Sequence, residues 1–181
     1  MAKKIAVLVG SLRKESVNRK IANELIRLSS GNLEMEIVEI GDLPHYNEDL
    51  DENPPQQWKD FREIIKSSEG VLFVSPEYNR TIPGVLKNAI DVGSRPYGSS
   101  VWQGKPSAVV TASPSGIGGA LANLNIRQSV VFLDVAMMQQ PEAYIGNAFE
   151  IWKEDGKTAV EKTEKVLQKF IDAFGKWVDK F

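Results

Sequence analysis

The sequence contains no cysteine and a single histidine, His45. The first absence excludes disulfides, thiolate-bound zinc, a cysteine nucleophile and cysteine-ligated iron–sulfur clusters. The second excludes a metal site built from several histidines of one chain, and no metal is expected. A dominant charge is missing too: 22 Lys and Arg face 24 Asp and Glu, a net charge of −2. So balanced a chain does not read as a dedicated nucleic-acid binder or as a strongly acidic electron carrier. No apolar run approaches the roughly 18 residues of a membrane span. The apolar segment after Met1-Ala-Lys-Lys is only about five residues, shorter than the apolar region of a signal peptide, so the cytoplasm is the expected location. His45 lies in the polar, proline-bearing stretch 42–55, which reads as one long surface loop, and is given no role.

What is present is an alternation. Residues 5–9, 71–74 and 107–112 are strand-length apolar runs without polar alternation, as strands covered on both faces are. Leu33, Met35 and Ile37 alternate with Glu34 and Glu36, predicting a more exposed strand near a sheet edge. A fifth strand is expected within 131–137. Helical spacing fills the gaps: Val17, Ile21, Leu25 and Leu28; Trp58, Phe61, Ile64 and Ile65; 83–92; 120–128; and an apolar stripe from Val160 to Phe181. At 181 residues, one domain spanning 1–181 suffices. Buried strands joined by helical crossovers imply an α/β fold. The expected form is a flavodoxin-like three-layer sandwich with five parallel strands in the order 2-1-3-4-5 and helices on both faces. Ligands then bind beyond the carboxyl ends of the strands.

The unusual sequence falls at that end. The other end has plain turns, such as Gly104-Lys-Pro106. The carboxyl ends run into Gly10-Ser-Leu-Arg-Lys-Glu-Ser-Val-Asn18, Ser75-Pro-Glu-Tyr-Asn-Arg-Thr-Ile-Pro83 and Thr111-Ala-Ser-Pro-Ser-Gly-Ile-Gly-Gly119. The first loop enters a helix, so free N–H groups and the positive helix end face the crevice. Ser11, Ser16 and Asn18 supply polar contacts and Arg13 a planar cation, a match for a phosphate monoester carrying roughly two negative charges. A plain polar turn with Ser16 as helix cap is the competing reading. The loop lacks both the triphosphatase and the dinucleotide glycine patterns. The second loop offers Tyr78 and a rigid wall for a flat aromatic ligand, or is a tight turn. The third has glycines that permit close backbone approach, or is a helix-entry turn. Segment 95–102, with Tyr97 and Trp102, closes over the site, meets a partner subunit, or is a surface loop.

Gly10-Ser-Leu-Arg13 with Ser16 and Asn18-Arg19, then Ser75-Pro-Glu-Tyr-Asn79, Pro83-Gly-Val-Leu-Lys-Asn-Ala-Ile-Asp91 and Ser94-Arg95, resemble the NAD(P)H-dependent FMN reductase family, and within it the bacterial chromate/quinone reductases. The resemblance implies noncovalent FMN with NADPH or NADH as cosubstrate, and no catalytic side chain, because the flavin carries the chemistry. By carry-over, Ser11, Arg13, Ser16, Val17 and Asn18 hold the phosphate end. Pro76, Glu77, Tyr78 and Asn79 border the isoalloxazine, and Ser113, Ser115 and Gly116 approach from the third loop. It also implies an acceptor such as a quinone or chromate, and a homodimer or homotetramer. One departure is Leu121, where such proteins often carry a basic residue. The readings left open are a flavodoxin-type electron carrier and an FMN-binding regulatory module, both without turnover.

Overall fold

The computed structural model describes residues 2–29 and 31–181. A parallel sheet runs through the molecule in the order β2-β1-β3-β4-β5, where β1 is Lys3–Val9, β2 Leu33–Val38, β3 Gly70–Ser75, β4 Pro106–Ala112 and β5 Ala136–Met137. A further strand, β6 (Ala143–Ile145), also pairs with β4. The three central strands are buried on both faces, as their unbroken apolar sequence requires. β2 is the expected edge strand, with Glu34 and Glu36 exposed and Leu33 and Val38 buried.

Helices α1 (Val17–Leu28) and α5 (Glu161–Val178) cover one face, burying Ile21, Leu25, Phe170, Ile171 and Phe174 against the sheet. Helices α2 (Gln56–Ser67), α3 (Gly84–Gly93) and α4 (Ala120–Val131) cover the other with Trp58, Phe61, Leu86, Ile90 and Ile126. None of the described helices is long and apolar enough to cross a membrane.

The fifth sheet position differs from the simple strand read within 131–137. α4 continues to Val131, and Asp134 then takes a left-handed conformation at φ 56°. The chain can extend only beyond that reversal, so β5 is two residues long and meets Pro106 and Ser107 at the start of β4. β6 takes over the same edge further along, opposite Val110, Thr111 and Ala112.

Segment 95–102 does not close over the strand ends. Trp102 is fully buried beside Phe61 and Phe73, and its Nε1–H donates to the Ile90 carbonyl at 2.8 Å. Arg95 reaches the long loop instead, pairing with Asp51 at 2.9 Å and Glu48 at 3.0 Å above the Tyr46 ring. Tyr97, Gly98 and Ser99 are left in solvent.

A buried carboxylate fastens α1 to the chain entering α5. Glu24 accepts from Arg27 at 2.7 and 2.9 Å and from the Ala159 N–H at 3.0 Å. The Arg27 guanidinium holds this carboxyl below its ordinary pKa. Its contribution to stability is full above the unfolded carboxylate range, near about 4.3, and is lost as the pH falls through the lowered folded value. Glu24→Gln is expected to lower the melting temperature at pH 7 and to flatten the acid limb of a melting-temperature profile. Unchanged melting at both pH 7 and pH 4 would show that the carboxylate does not hold these elements together.

Candidate active site

The carboxyl ends of β1, β3 and β4 open on one crevice. Gly10 allows the first two turns to lie side by side: a Cβ there would stand 2.7 Å from Ser75 Oγ and 3.3 Å from Leu86 Cδ2. The first turn then wraps the start of α1, where Ser16 Oγ accepts the Arg19 N–H at 3.1 Å as the helix cap. As an acceptor it keeps its own hydroxyl proton to donate.

Asn18, on the first turn of α1, is 5% exposed. Its Nδ2 reaches the Ala112 carbonyl at 3.4 Å, whereas Oδ1 is buried without a partner. An orphaned buried acceptor is unfavourable by about 1–3 kcal/mol, and a ligand hydroxyl would satisfy it. Arg13 has no ionic partner among the described residues, and its guanidinium lies over the Phe149 ring, 5.9 Å from the centroid. Arg19, Arg27, Arg80 and Arg95 are all paired with carboxylates. An uncommitted cation, a helix N-terminus and the hydroxyls of Ser11 and Ser16 thus share one end of the crevice, a combination suited to an anion.

The second wall is the turn after β3. Tyr78 and Thr81 exchange backbone hydrogen bonds at 3.0 Å across Asn79 (φ 50°) and Arg80 (φ 63°). Two left-handed central residues are the mark of a type I′ turn. For Arg80 that conformation is unfavourable by roughly 1–2 kcal/mol; its guanidinium returns to Glu77 at 2.9 Å. The third wall leaves β4 through Ser113, whose N–H donates to the Ile145 carbonyl at 3.0 Å. It enters α4 at Gly119, which caps the helix at φ 76° with no side chain to offer.

Ser11, Arg13, Ser16, Val17, Asn18, Pro76, Glu77, Tyr78 and Ser113 line the crevice together. Three other residues singled out from the sequence do not. Asn79 sits exposed at the tip of its turn, Ser115 turns its hydroxyl to Ser113 Oγ at 2.8 Å, and Gly116 packs on the backbone of Gly146. The structure adds a fourth wall, Ala148 and Phe149, beyond β6. The Ala148 N–H donates to the Ser113 carbonyl at 3.1 Å, which draws this loop to the rim. Its sequence signal was the short apolar run Ala143-Tyr-Ile145 stopping at Gly146-Asn147.

A family model for NADPH-dependent FMN reductases matches residues 3–150. The chain belongs to this family. It is 59% identical over 175 residues to a quinone reductase of Pseudomonas putida, covering 96% of this chain and 94% of that protein. It is 44% identical over 178 residues to a 2-hydroxy-1,4-benzoquinone reductase of a Burkholderia species, covering 98% and 97% of the two chains. Among solved structures, FerB of Paracoccus denitrificans, a flavoenzyme NAD(P)H:(acceptor) oxidoreductase, superposes with a TM-score of 0.93 at 46% identity, over 99% of this chain and 98% of that one. With the family comes its redox pair, FMN and a reduced nicotinamide nucleotide.

Gly10→Ala is expected to wedge the first two walls apart and to destabilise the protein by about 1–3 kcal/mol, the usual range for overpacking a tight site. Chemical denaturation measures it; an unchanged midpoint would mean that the two turns have slack between them.

Proposed function

We propose that the chain is a single-domain, FMN-dependent NAD(P)H:quinone oxidoreductase working in the cytoplasm, with FMN bound noncovalently in the crevice. The single observation that carries this reading is the convergence of an unpaired Arg13, the α1 N-terminus and the orphaned Asn18 Oδ1 at one end of a slot walled by Tyr78. A phosphate suits the cation and the helix end, a hydroxyl-bearing ribityl chain suits Asn18, and a flat ring suits the wall. When bound, FMN supplies the redox chemistry, accepting hydride from the nicotinamide and passing electrons to the acceptor. The residues bind and orient it. Ser11, Arg13, Ser16, Val17 and Asn18 hold the phosphate and its tether. Pro76, Glu77 and Tyr78 border the ring, with Ser113 on the opposite turn and Phe149 at the rim; Asn79, Ser115 and Gly116, outside the crevice lining, enter the proposal as neighbours that shape those two turns.

The quinone assignment draws support from the relatives and from the surroundings of the crevice. Leu12, Tyr78, Ile117, Leu121 and Phe149 are exposed large apolar side chains on or beside its loops. Such a mouth favours a neutral apolar ring over a small oxyanion. Chromate remains a second acceptor within the proposal, and Leu121 offers it no charge. A homodimer or homotetramer is also proposed. Leu121, Leu124, Val131 and Phe132 form an exposed apolar stripe along α4, of the kind that marks association.

The purified protein is expected to be yellow, to bleach with NADPH or NADH under anaerobic conditions, and to recolour on adding a benzoquinone. Bleaching by dithionite but not by either nucleotide would identify an electron carrier instead. A colourless protein that refuses FMN at micromolar concentration would end the proposal. Arg13→Ala is expected to weaken FMN binding about 10- to 100-fold, the equivalent of one charge-assisted contact, and to leave riboflavin, which lacks the phosphate, within about twofold on the same scale. Equal losses for the two ligands would show that Arg13 does not meet the phosphate.

A further inference from the structure

We infer that Glu77 is a positioning residue: its carboxylate ties the tyrosine turn after β3 to the start of α4 and so sets the separation of two walls of the crevice. Glu77 Oε2 accepts the N–H groups of Leu121 at 3.0 Å and Ala122 at 3.2 Å, across 44 and 45 residues of sequence. The other oxygen, Oε1, accepts from Arg80 at 2.9 Å. The side chain is only 8% exposed. Both oxygens of the carboxylate are therefore engaged by protein donors.

The need for this tie comes from α4 itself. The first N–H groups of a helix have no partner within the helix and call for a cap. Here the cap position is Gly119, which has no side chain to provide one. The acceptor comes instead from the neighbouring wall, and its negative charge meets the positive end of α4. Arg80, held in its left-handed turn, completes the neutralisation from the other side. Glu77 thus presents to the crevice a carboxylate already balanced by a cation and a helix end. Among the described residues no other side-chain hydrogen bond joins these two walls.

The ligand arm of the test rests on FMN as the bound group; the tie itself does not. Glu77→Ala is expected to weaken FMN binding about tenfold, and to weaken riboflavin by the same factor, because the phosphate end is untouched. Glu77→Gln keeps an oxygen that accepts the same two N–H groups and is expected to recover most of that loss. In the flavin-free protein, amide hydrogen exchange at Leu121 and Ala122 should be slow in wild type and in Glu77→Gln, and fast in Glu77→Ala. Should Glu77→Ala fail to fold, Glu77→Asp, one methylene shorter, replaces it with the same expectation. The inference is overturned if Glu77→Gln is as impaired as Glu77→Ala, if the truncated variant binds FMN as tightly as wild type, or if the two amides exchange equally fast in all three proteins. Protection of those amides in a wild type that binds no flavin would uphold the tie while overturning the cofactor assignment.

Discussion

Parallel pairing of β1, β3 and β4 is the constraint on which everything else rests. Backbone ladders hold these strands in register from Ile5 opposite Gly70 to Ser75 opposite Thr111. Because the three run the same way, three turns with unrelated sequences must emerge at one rim. An antiparallel arrangement would have sent the Tyr78 turn to the far end, away from Arg13. The helices on both faces are what make the arrangement durable, since a parallel sheet of this kind needs apolar cover on each side. The site is thus a by-product of strand direction, sharpened by a few side chains.

At that rim the distribution of charge is economical. Basic groups near the crevice are either neutralised by a carboxylate, as Arg19 is by Glu39 and Arg80 by Glu77, or left uncommitted, as Arg13 is. A cation resting only on an aromatic ring loses little on turning to a stronger partner. Arg13, lining the crevice with no carboxylate partner among the described residues, marks where an anion would be welcome. Asn18 makes the same point for a hydroxyl, through an oxygen that the fold itself leaves unmatched.

Much of this was legible in the sequence because it is local. The buried strands and the Ser16 cap follow from residues close together in the chain, whereas the need for glycine at position 10 comes from Ser75 and Leu86, far along the sequence. The two-residue β5 was not legible, because Val131 and Phe132 look like strand residues and nothing nearby announces the reversal at Asp134. Phe149 was missed because it belongs to a loop whose strand is only three residues long. Ser115 and Gly116 stand outside the crevice lining for a related reason: their turn folds back on Ser113 and Gly146, an arrangement set by the neighbouring loop. The turn that carries Glu77 was legible, yet its partners on α4 lie 44 and 45 residues away, beyond the reach of any local pattern.

The divided fifth strand has a consequence of a different kind. A continuous flat border on a sheet is a template for adding strands from other molecules, the route to fibrous deposits. Here one border is interrupted, two residues and then three, and the other carries Glu34 and Glu36 facing solvent. Neither offers a straight, uncharged line for a second chain to copy, so the fold is shielded from amyloid-like growth at both margins.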